Sequence, residues 1–424
     1  MQQLMAYGTA AMTVGLVLGL PRTRIGARFG PVTAAALGVI VMLAAGILSP
    51  PDLAVAAETL WRPFVALLSI MLTASVAERF GVLRHFAALI EPRCVSVART
   101  FSAVFLLSVV MSAVLNNDAA VLLLTPVVIE LVRRRYPGRT DLIVPFAFAV
   151  FAAAGVAPLV ISNPMNLVVA DLAGIDFNEY ALRMIPIALA GWITAFVTLR
   201  VLFYRTLRAP EVGATQHITA TSLSAPAKQF LALMAGSLIS YPILTLLGGP
   251  IWIVAAVSAA LGVSLALYHR AGSSAEFARA VSWETLAFLF CVFVMAVGLR
   301  HVGFVDVVAE FYGAAEGASQ IALVGVSAAL GSAVLNNHPM AIINALAIGS
   351  LSQPHQDLIF AALIGGDLGP RLLPMGSLAA LLWLDQLRRH GVQIAASRFI
   401  LIGIPLTAAA LTVSLTILIG TAVP

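Results

Sequence analysis

Charge is scarce in this chain: of its 424 residues only 10% are charged, while 61% are apolar, and the mean hydropathy is +1.00. Soluble proteins carry about 25% charged and 45–50% apolar residues. Most of this surface must therefore face something other than water, and a lipid bilayer is the obvious medium. Long polar stretches are missing as well, since the longest, residues 205–228, is too short for a soluble domain. At about 20 residues per crossing there is room for roughly a dozen membrane-embedded segments and little else. Two cysteines, Cys94 and Cys291, give neither a disulfide framework nor a metal cluster. The chain has no Gly-x-Ser-x-Gly elbow, no His-Glu-x-x-His, no paired-aspartate diphosphate motif and no phosphate loop, which argues against an intramembrane enzyme or a cofactor. No basic residue precedes the apolar run from Met5 to Leu20, and Arg22, Arg24 and Arg28 follow it, the reverse of a secretory signal. That run is expected to stay as the first span, starting outside.

Apolar runs with charged ends mark ten spans, at about 5–20, 31–49, 63–79, 142–172, 182–204, 229–248, 250–268, 285–299, 356–387 and 398–420. Two further regions, about 100–133 and 319–352, are too long for one crossing and are interrupted by polar residues. They are read as re-entrant hairpins returning to their own side, although a double crossing has the same parity. With an outer start, the inner connections collect 20 of the 24 basic residues; the outer ones hold Arg62, Arg183 and Arg300 against nine acids. This asymmetry obeys the positive-inside rule and places both termini outside. The net charge of +5 then describes a cytoplasmic membrane face and not a nucleic-acid site.

Residues 112–117 read Ser-Ala-Val-Leu-Asn-Asn, and residues 332–337 read the same. A second echo follows each copy: Asn163-Pro164-Met165-Asn166-Leu167, and Leu373-Pro374-Met375-Gly376-Ser377. Each half has the order three spans, hairpin, interrupted span, final span. Five crossings per half is an odd number, so the second half must run opposite to the first, giving two inverted-topology repeats. The expected domains are 1–204 and 229–424, joined by a cytoplasmic linker at 205–228. The fold class is an all-α polytopic membrane protein with ten spanning helices, two of them discontinuous, plus two re-entrant helical hairpins. Broken backbone at membrane depth must line a protein-walled cavity, because lipid cannot satisfy its N–H and C=O groups. Paired Gly/Pro-broken segments at Pro158–Pro164 and Gly365–Pro374 therefore point to a transporter's binding site. Inverted halves with paired hairpins suit alternating access better than a passive channel.

Four polar clusters are expected to converge: Asn116, Asn117 and Asp118; Ser162, Asn163 and Asn166; Asn336, Asn337 and His338; Asp367, Gly376 and Ser377. Amides offer donors and acceptors, and helix ends add free N–H groups, a lining suited to a small hydroxyl-rich solute. The same groups also serve as polar glue between membrane helices. Of the 19 acids, all but Asp118 and Asp367 fall in flanks or loops. A central acid costs about 2.5–3.5 kcal/mol to insert, so each calls for a functional account. Arg371 is a ready ion-pair partner for Asp367. Asp118 has no base nearby in sequence and is the favoured proton-linked group, with Asp367 and His338 as the other titratable candidates.

At these motifs the chain resembles the arsenite efflux permease (ArsB) family of the ion transporter superfamily. The stretches that carry the resemblance are Asn117-Asp118-Ala-Ala-Val-Leu-Leu-Leu-Thr125-Pro126, Ser162-Asn163-Pro-Met-Asn166-Leu-Val-Val-Ala-Asp171 and Phe177-Asn-Glu-Tyr180. The longest is Gly366-Asp367-Leu-Gly-Pro370-Arg-Leu-Leu-Pro374-Met-Gly376-Ser377-Leu-Ala-Ala-Leu-Leu-Trp383. The chain departs from the family pattern where Asn116 replaces a small residue and His338 an uncharged one. The resemblance implies export of arsenite and antimonite in exchange for protons, across the cytoplasmic (inner) membrane of a bacterium or archaeon. Uncharged arsenite has three hydroxyls that amide groups can hold, whereas three-thiolate capture is out of reach of two cysteines. Some relatives couple to a cytoplasmic arsenite-stimulated ATPase, which the linker could dock, though a plain connector is the simpler reading; a homodimer is the assembly to test for. The competing readings are a sodium/proton antiporter, with Asp118 among the oxygen ligands, and a sodium-coupled dicarboxylate carrier, whose anionic substrate would sit badly beside Asp118.

Overall fold

The computed structural model describes residues 31–82, 85–86, 96–208, 223–353 and 355–422, together with 3–5, 7–9 and 12. Most of the expected first span, Cys94 and most of the linker lie outside the described residues. Within them the chain is helical and has no strand. In the first half, α1 (Pro31–Ala44) and α2 (Pro50–Arg79) precede a hairpin of α3 (Val97–Val114) and α4 (Asn117–Arg135). Then come a broken helix, α5 (Ile143–Ala153) and α6 (Pro164–Ala173), a long α7 (Phe177–Leu202) and a short α8 (Tyr204–Arg208). The second half runs α9 (Ala225–Leu246), α10 (Ile251–Tyr268), a short α11 (Ser274–Ala280), α12 (Trp283–His301) and α13 (Phe304–Gly313). It continues with a hairpin of α14 (Gly317–Leu335) and α15 (Asn337–Gly349), a broken helix α16 (Gln356–Leu368) and α17 (Leu378–Arg389), and α18 (Ala396–Thr421). Eight of these helices are long and apolar enough to cross a membrane, among them the first arms of both hairpins.

The helix starts are written locally. Ser96, Asp176 and Ser224 each cap a helix by accepting from the backbone N–H three residues on, worth about 1 kcal/mol apiece. Pro50 and Pro164 occupy first-turn positions where a missing N–H costs nothing. Gly174 closes α6 in the left-handed conformation, φ 68°.

Helix contacts come in exchanged pairs. Helix α2 packs on α10, and its counterpart α12 packs on α1; α4 packs on α17, and its counterpart α15 packs on α6. Helices α7 and α18, the final span of each half, pack on each other. Phe148 and Phe151 of α5 meet Trp383 of α17 and Phe399 of α18, with Phe151 stacked on Trp383 at 4.6 Å, so the two broken helices share one aromatic core.

Charged contacts separate into two ends. At one, Arg79 meets Glu276, Arg133 donates to the His390 carbonyl, and Arg139 to that of Thr206. At the other, Asp52 faces His301, and Arg183 reaches both Asp357 and the Thr421 carbonyl. Each of these contacts joins segments assigned to one side by charge. Both ends of the first hairpin lie at the first end and both ends of the second at the other. Arms of 18 and 19 residues are long enough to cross, yet each tip stops at a broken helix.

Candidate functional site

Asn116 and Asn336 form the hairpin tips, with φ 146° and φ 80°; among the described residues the only other non-glycine with positive φ is Arg270. Asparagine tolerates this region better than most residues, and strain of this kind costs about 1–3 kcal/mol, so its recurrence at the two tips makes them candidate functional positions. Each tip amide then caps the second arm: Asn116 Oδ1 accepts from Ala119 N–H at 2.9 Å, Asn336 Oδ1 from His338 N–H at 3.3 Å.

The first break satisfies its open backbone with side chains from four elements. The carbonyl of Ala152 accepts from Arg371, that of Ala153 from Trp192 Nε1 at 2.8 Å, that of Gly155 from Asn117 Nδ2 at 3.1 Å and that of Ala157 from the Tyr180 hydroxyl at 3.2 Å. Ala157 N–H donates to Asp367 at 2.9 Å. A Cβ at Gly155 would lie 2.4 Å from the Arg371 guanidinium, so a larger residue there would push that side chain off the Ala152 carbonyl. At the second break the Leu368 carbonyl accepts from Thr407 at 3.3 Å, and the Gly376 carbonyl from Asn337 N–H at 3.0 Å.

Asp367 lies where the breaks meet. Its carboxylate accepts from Asn163 Nδ2 at 2.6 Å, Asn166 Nδ2 at 3.0 Å and the Ala157 N–H, and is 6% exposed. The expected ion pair with Arg371 does not form among the described residues. Residues 369–371 leave the α-helix for a tighter turn, and the one-turn spacing that would pair them is lost. Arg371 instead crosses to the Ala152 carbonyl, its Nε without a partner among the described residues.

The structure thus brings Asn163, Asn166 and Asp367 together at the first break, where Asn117 also bonds, and separately pairs Asn337 with Gly376 at the second. Ser162 donates to the Ala113 carbonyl at 2.7 Å and ties the first break to its hairpin. Ser377 caps α17 through Ala380 N–H at 3.0 Å. Asp118, in the first turn of α4, is partly exposed and has no hydrogen-bond or ion-pair partner among the described residues. His338 is buried, with Nδ1 3.3 Å from its own tip amide and its ring edge-on to Phe288. Cys291 is half-buried in α12. Tyr180, Trp192 and Thr407 supply partners to the breaks that sequence reading did not single out; an aromatic N–H or O–H within an apolar helix was the available signal.

The repeated hexapeptide behaves differently in its two copies. Ser112 donates to Asn117 Oδ1 in the first. In the second, the equivalent Ser332 Oγ and Asn337 Oδ1 are buried without partners among the described residues, as are Asn336 Nδ2 and His338 Nε2.

The fold is shared with solved transporters. The crystal structure of the Alcanivorax borkumensis YdaH transporter aligns over 99% of this chain and 98% of its own, with a TM-score of 0.61 and 16% identity. Neisseria gonorrhoeae MtrF, one of a class of antimetabolite efflux pumps, aligns over 91% of this chain and 85% of its own, with a TM-score of 0.56 and 13% identity. In sequence, an arsenical pump membrane protein of Escherichia coli K12 is 28% identical over 422 residues, covering 97% of both chains. One from Yersinia enterocolitica is 27% identical over 90% of this chain and 91% of its own. Since the family pattern described as "Arsenical pump membrane protein" (ArsB) matches residues 12–421, and these relatives run the length of the chain, the protein belongs to that family of membrane transporters.

Proposed function

We propose that this protein exports arsenite, and antimonite with it, from the cytoplasm in exchange for protons, by alternating access of a site between two inverted halves, residues 1–204 and 229–424, linked by 205–228. The basic end faces the cytoplasm and both termini lie outside the inner membrane, following the positive-inside rule. The observation that carries the reading is the open second tip. Ser332 Oγ, Asn336 Nδ2, Asn337 Oδ1 and His338 Nε2 are buried with no partner among the described residues. Such groups cost about 1–3 kcal/mol each when left unpaired. A neutral trihydroxide offers donors and acceptors to all four without bringing charge into the lipid layer. Asn166 Oδ1 is similarly unspent, and Asn116, Asn117, Asn163, Ser162, Gly376 and Ser377 shape the rest of the lining.

Asp118 is the proton-linked group. Its carboxylate has no partner among the described residues and sits beside the first tip, where either a proton or the solute's hydroxyls satisfies it. Competition for one carboxylate couples outward solute to inward protons. The decisive experiment is arsenite uptake by everted vesicles under imposed pH or sodium gradients. An outward-acting pump appears there as accumulation driven by an acidic lumen and abolished by Asp118→Asn. Accumulation that follows sodium and ignores pH would replace this reading with a sodium-coupled one.

A further inference from the structure

The first break presents two buried helix-dipole ends. The C-terminal carbonyls of α5 carry partial negative charge and the first turn of α6 partial positive charge, each equivalent to about half an elementary charge. Arg371 sits on the first, donating to Ala152 in the last turn of α5. Asp367 sits on the second, accepting from the N-cap amide Asn163, from Asn166 in the first turn and from the loop N–H of Ala157. Both come from the other half of the chain, and they are spent on opposite ends of the same break and not on each other. Asp367 accepts from three donors, two on one oxygen and one on the other. Asp118 has none.

We propose that Asp367 and Arg371 form a fixed electrostatic clasp on the first break, which leaves Asp118 as the single carboxylate that trades its proton for solute and so sets one proton per solute exported. The proposal rests on the export reading above. The charges around each acid are few. Facing Asp367 are Arg371 on its own turn, Tyr180 of α7, bonded through Asn166, and His338 of α15; α14 contributes no titratable group, and the Asp171 of α6 and Arg398 of α18 lie at far helix ends. Around Asp118, α5 contributes none; Glu130 and Arg133, Arg134 and Arg135 of its own helix, Arg99 of α3, Glu78 and Arg79 of α2, and Asp385, Arg388 and Arg389 of α17 lie toward the basic end, and Asp52, Glu58 and Arg62 of α2 toward the other. Arg371 therefore offsets Asp367 in every state, and one uncompensated carboxylate remains to be satisfied each time the site reorients. A proton does so on the inward passage and the solute's hydroxyls on the outward one. The empty, deprotonated carrier leaves Asp118 bare, which blocks leak.

The test pairs transport with unfolding. In everted vesicles with the membrane potential clamped at zero, the steady-state arsenite ratio should change about tenfold per unit of pH gradient. A hundredfold change, meaning two protons, would overturn the proposal whatever the variants do. Asp367→Asn should keep the tenfold slope with a raised KM, while Asp118→Asn flattens it; loss of the slope in Asp367→Asn protein that still binds arsenite would also overturn it. In detergent, Asp367→Asn and Arg371→Gln should each melt several degrees lower than wild type, with the double variant less destabilised than the sum, and Arg371→Lys should recover part of the loss. Wild-type melting in both single variants would refute the clasp. Should wild-type vesicles not accumulate arsenite at all, the export reading fails, and the melting series still decides the clasp on its own.

Discussion

Gly403 of α18 offers the sharpest test of how the second break is held. A Cβ built there lies 1.8 Å from the Arg371 carbonyl oxygen and 2.9 Å from its carbon. Both are backbone atoms in a tight turn, so no side chain can swing aside. Non-bonded carbon contacts settle at about 3.5–4.0 Å, and even with a smaller oxygen the helix must retreat by roughly 1–2 Å. Overpacking of this kind costs about 1–3 kcal/mol. One turn along α18, Thr407 donates to the Leu368 carbonyl at 3.3 Å, and the same retreat breaks that bond for about another 0.5–1.5 kcal/mol. Gly403→Ala should therefore lose roughly 2–4 kcal/mol, a large share of a typical margin of 5–15. The control is on the same helix: a Cβ at Gly420 meets nothing within 4 Å, so Gly420→Ala should be neutral or slightly stabilising. Tryptophan-fluorescence melting of the detergent-solubilised variants reads both. Equal melting temperatures for Gly403→Ala and Gly420→Ala would show that α18 does not hold the break at this point.

Two further predictions concern polar groups at the first break and at the basic end. Trp192→Phe keeps the ring but leaves the Ala153 carbonyl without its donor; it should cost about 1–3 kcal/mol and slow transport, seen as a lower melting temperature with a reduced uptake rate. Asp141 lies in a turn outside the spans, where the Arg139 guanidinium donates to both its oxygens at 2.8 Å and holds its pKa below the usual carboxylate value. A depressed folded pKa stabilises above the unfolded value, near about 3.9, and the benefit is lost as pH falls through the folded value. Asp141→Asn should thus melt slightly below wild type at pH 7, by less than about 1 kcal/mol for so exposed a pair, and the gap should close in strong acid.

The helix layout is legible because hydropathy reports segment length directly. The hairpins expected at about 100–133 and 319–352 are found at 97–135 and 317–349, and the breaks fall where Gly and Pro interrupt the apolar runs. Two elements depart from the hydropathy reading for the same reason. Helix α2 starts at Pro50 and not near 63, and α13 lies outside every expected span, because Asp52, Glu58, Arg62, Asp306 and Glu310 interrupt the hydropathy. Periodicity carried the missing signal, since Val305, Ala309 and Tyr312 recur at one-turn spacing and are the buried residues of α13. At the site, polar side chains could be identified but their partners could not. The spacing of Asp367 and Arg371 implies a pair only if the helix continues, and Gly369-Pro370 ends it. The groups that Asn117 and Asp367 actually find, the Gly155 carbonyl and the Ala157 N–H, are backbone and leave no trace in residue identity.

The duplicated hexapeptide makes the same point with composition held constant. Ser112 and Asn117 are bonded, whereas Ser332 and Asn337 are not, although both pairs belong to Ser-Ala-Val-Leu-Asn-Asn. The difference lies in the break each tip meets. Asn117 spends its amide N–H on the Gly155 carbonyl, which turns Oδ1 toward Ser112. Asn337 meets its break through the backbone, donating its N–H to Gly376, so the amide is left unanchored by that contact and its oxygen remains open. Opposite outcomes follow for one substitution. Ser112→Ala removes the donor from Asn117 Oδ1 and leaves a buried acceptor unpaired, which should cost about 1–3 kcal/mol and lower the melting temperature. Ser332→Ala breaks no side-chain bond among the described residues, so its melting temperature should hold while its KM for arsenite rises. If instead Ser332→Ala unfolds early and binds arsenite as wild type does, the second tip is structural, and the solute must be held at the first.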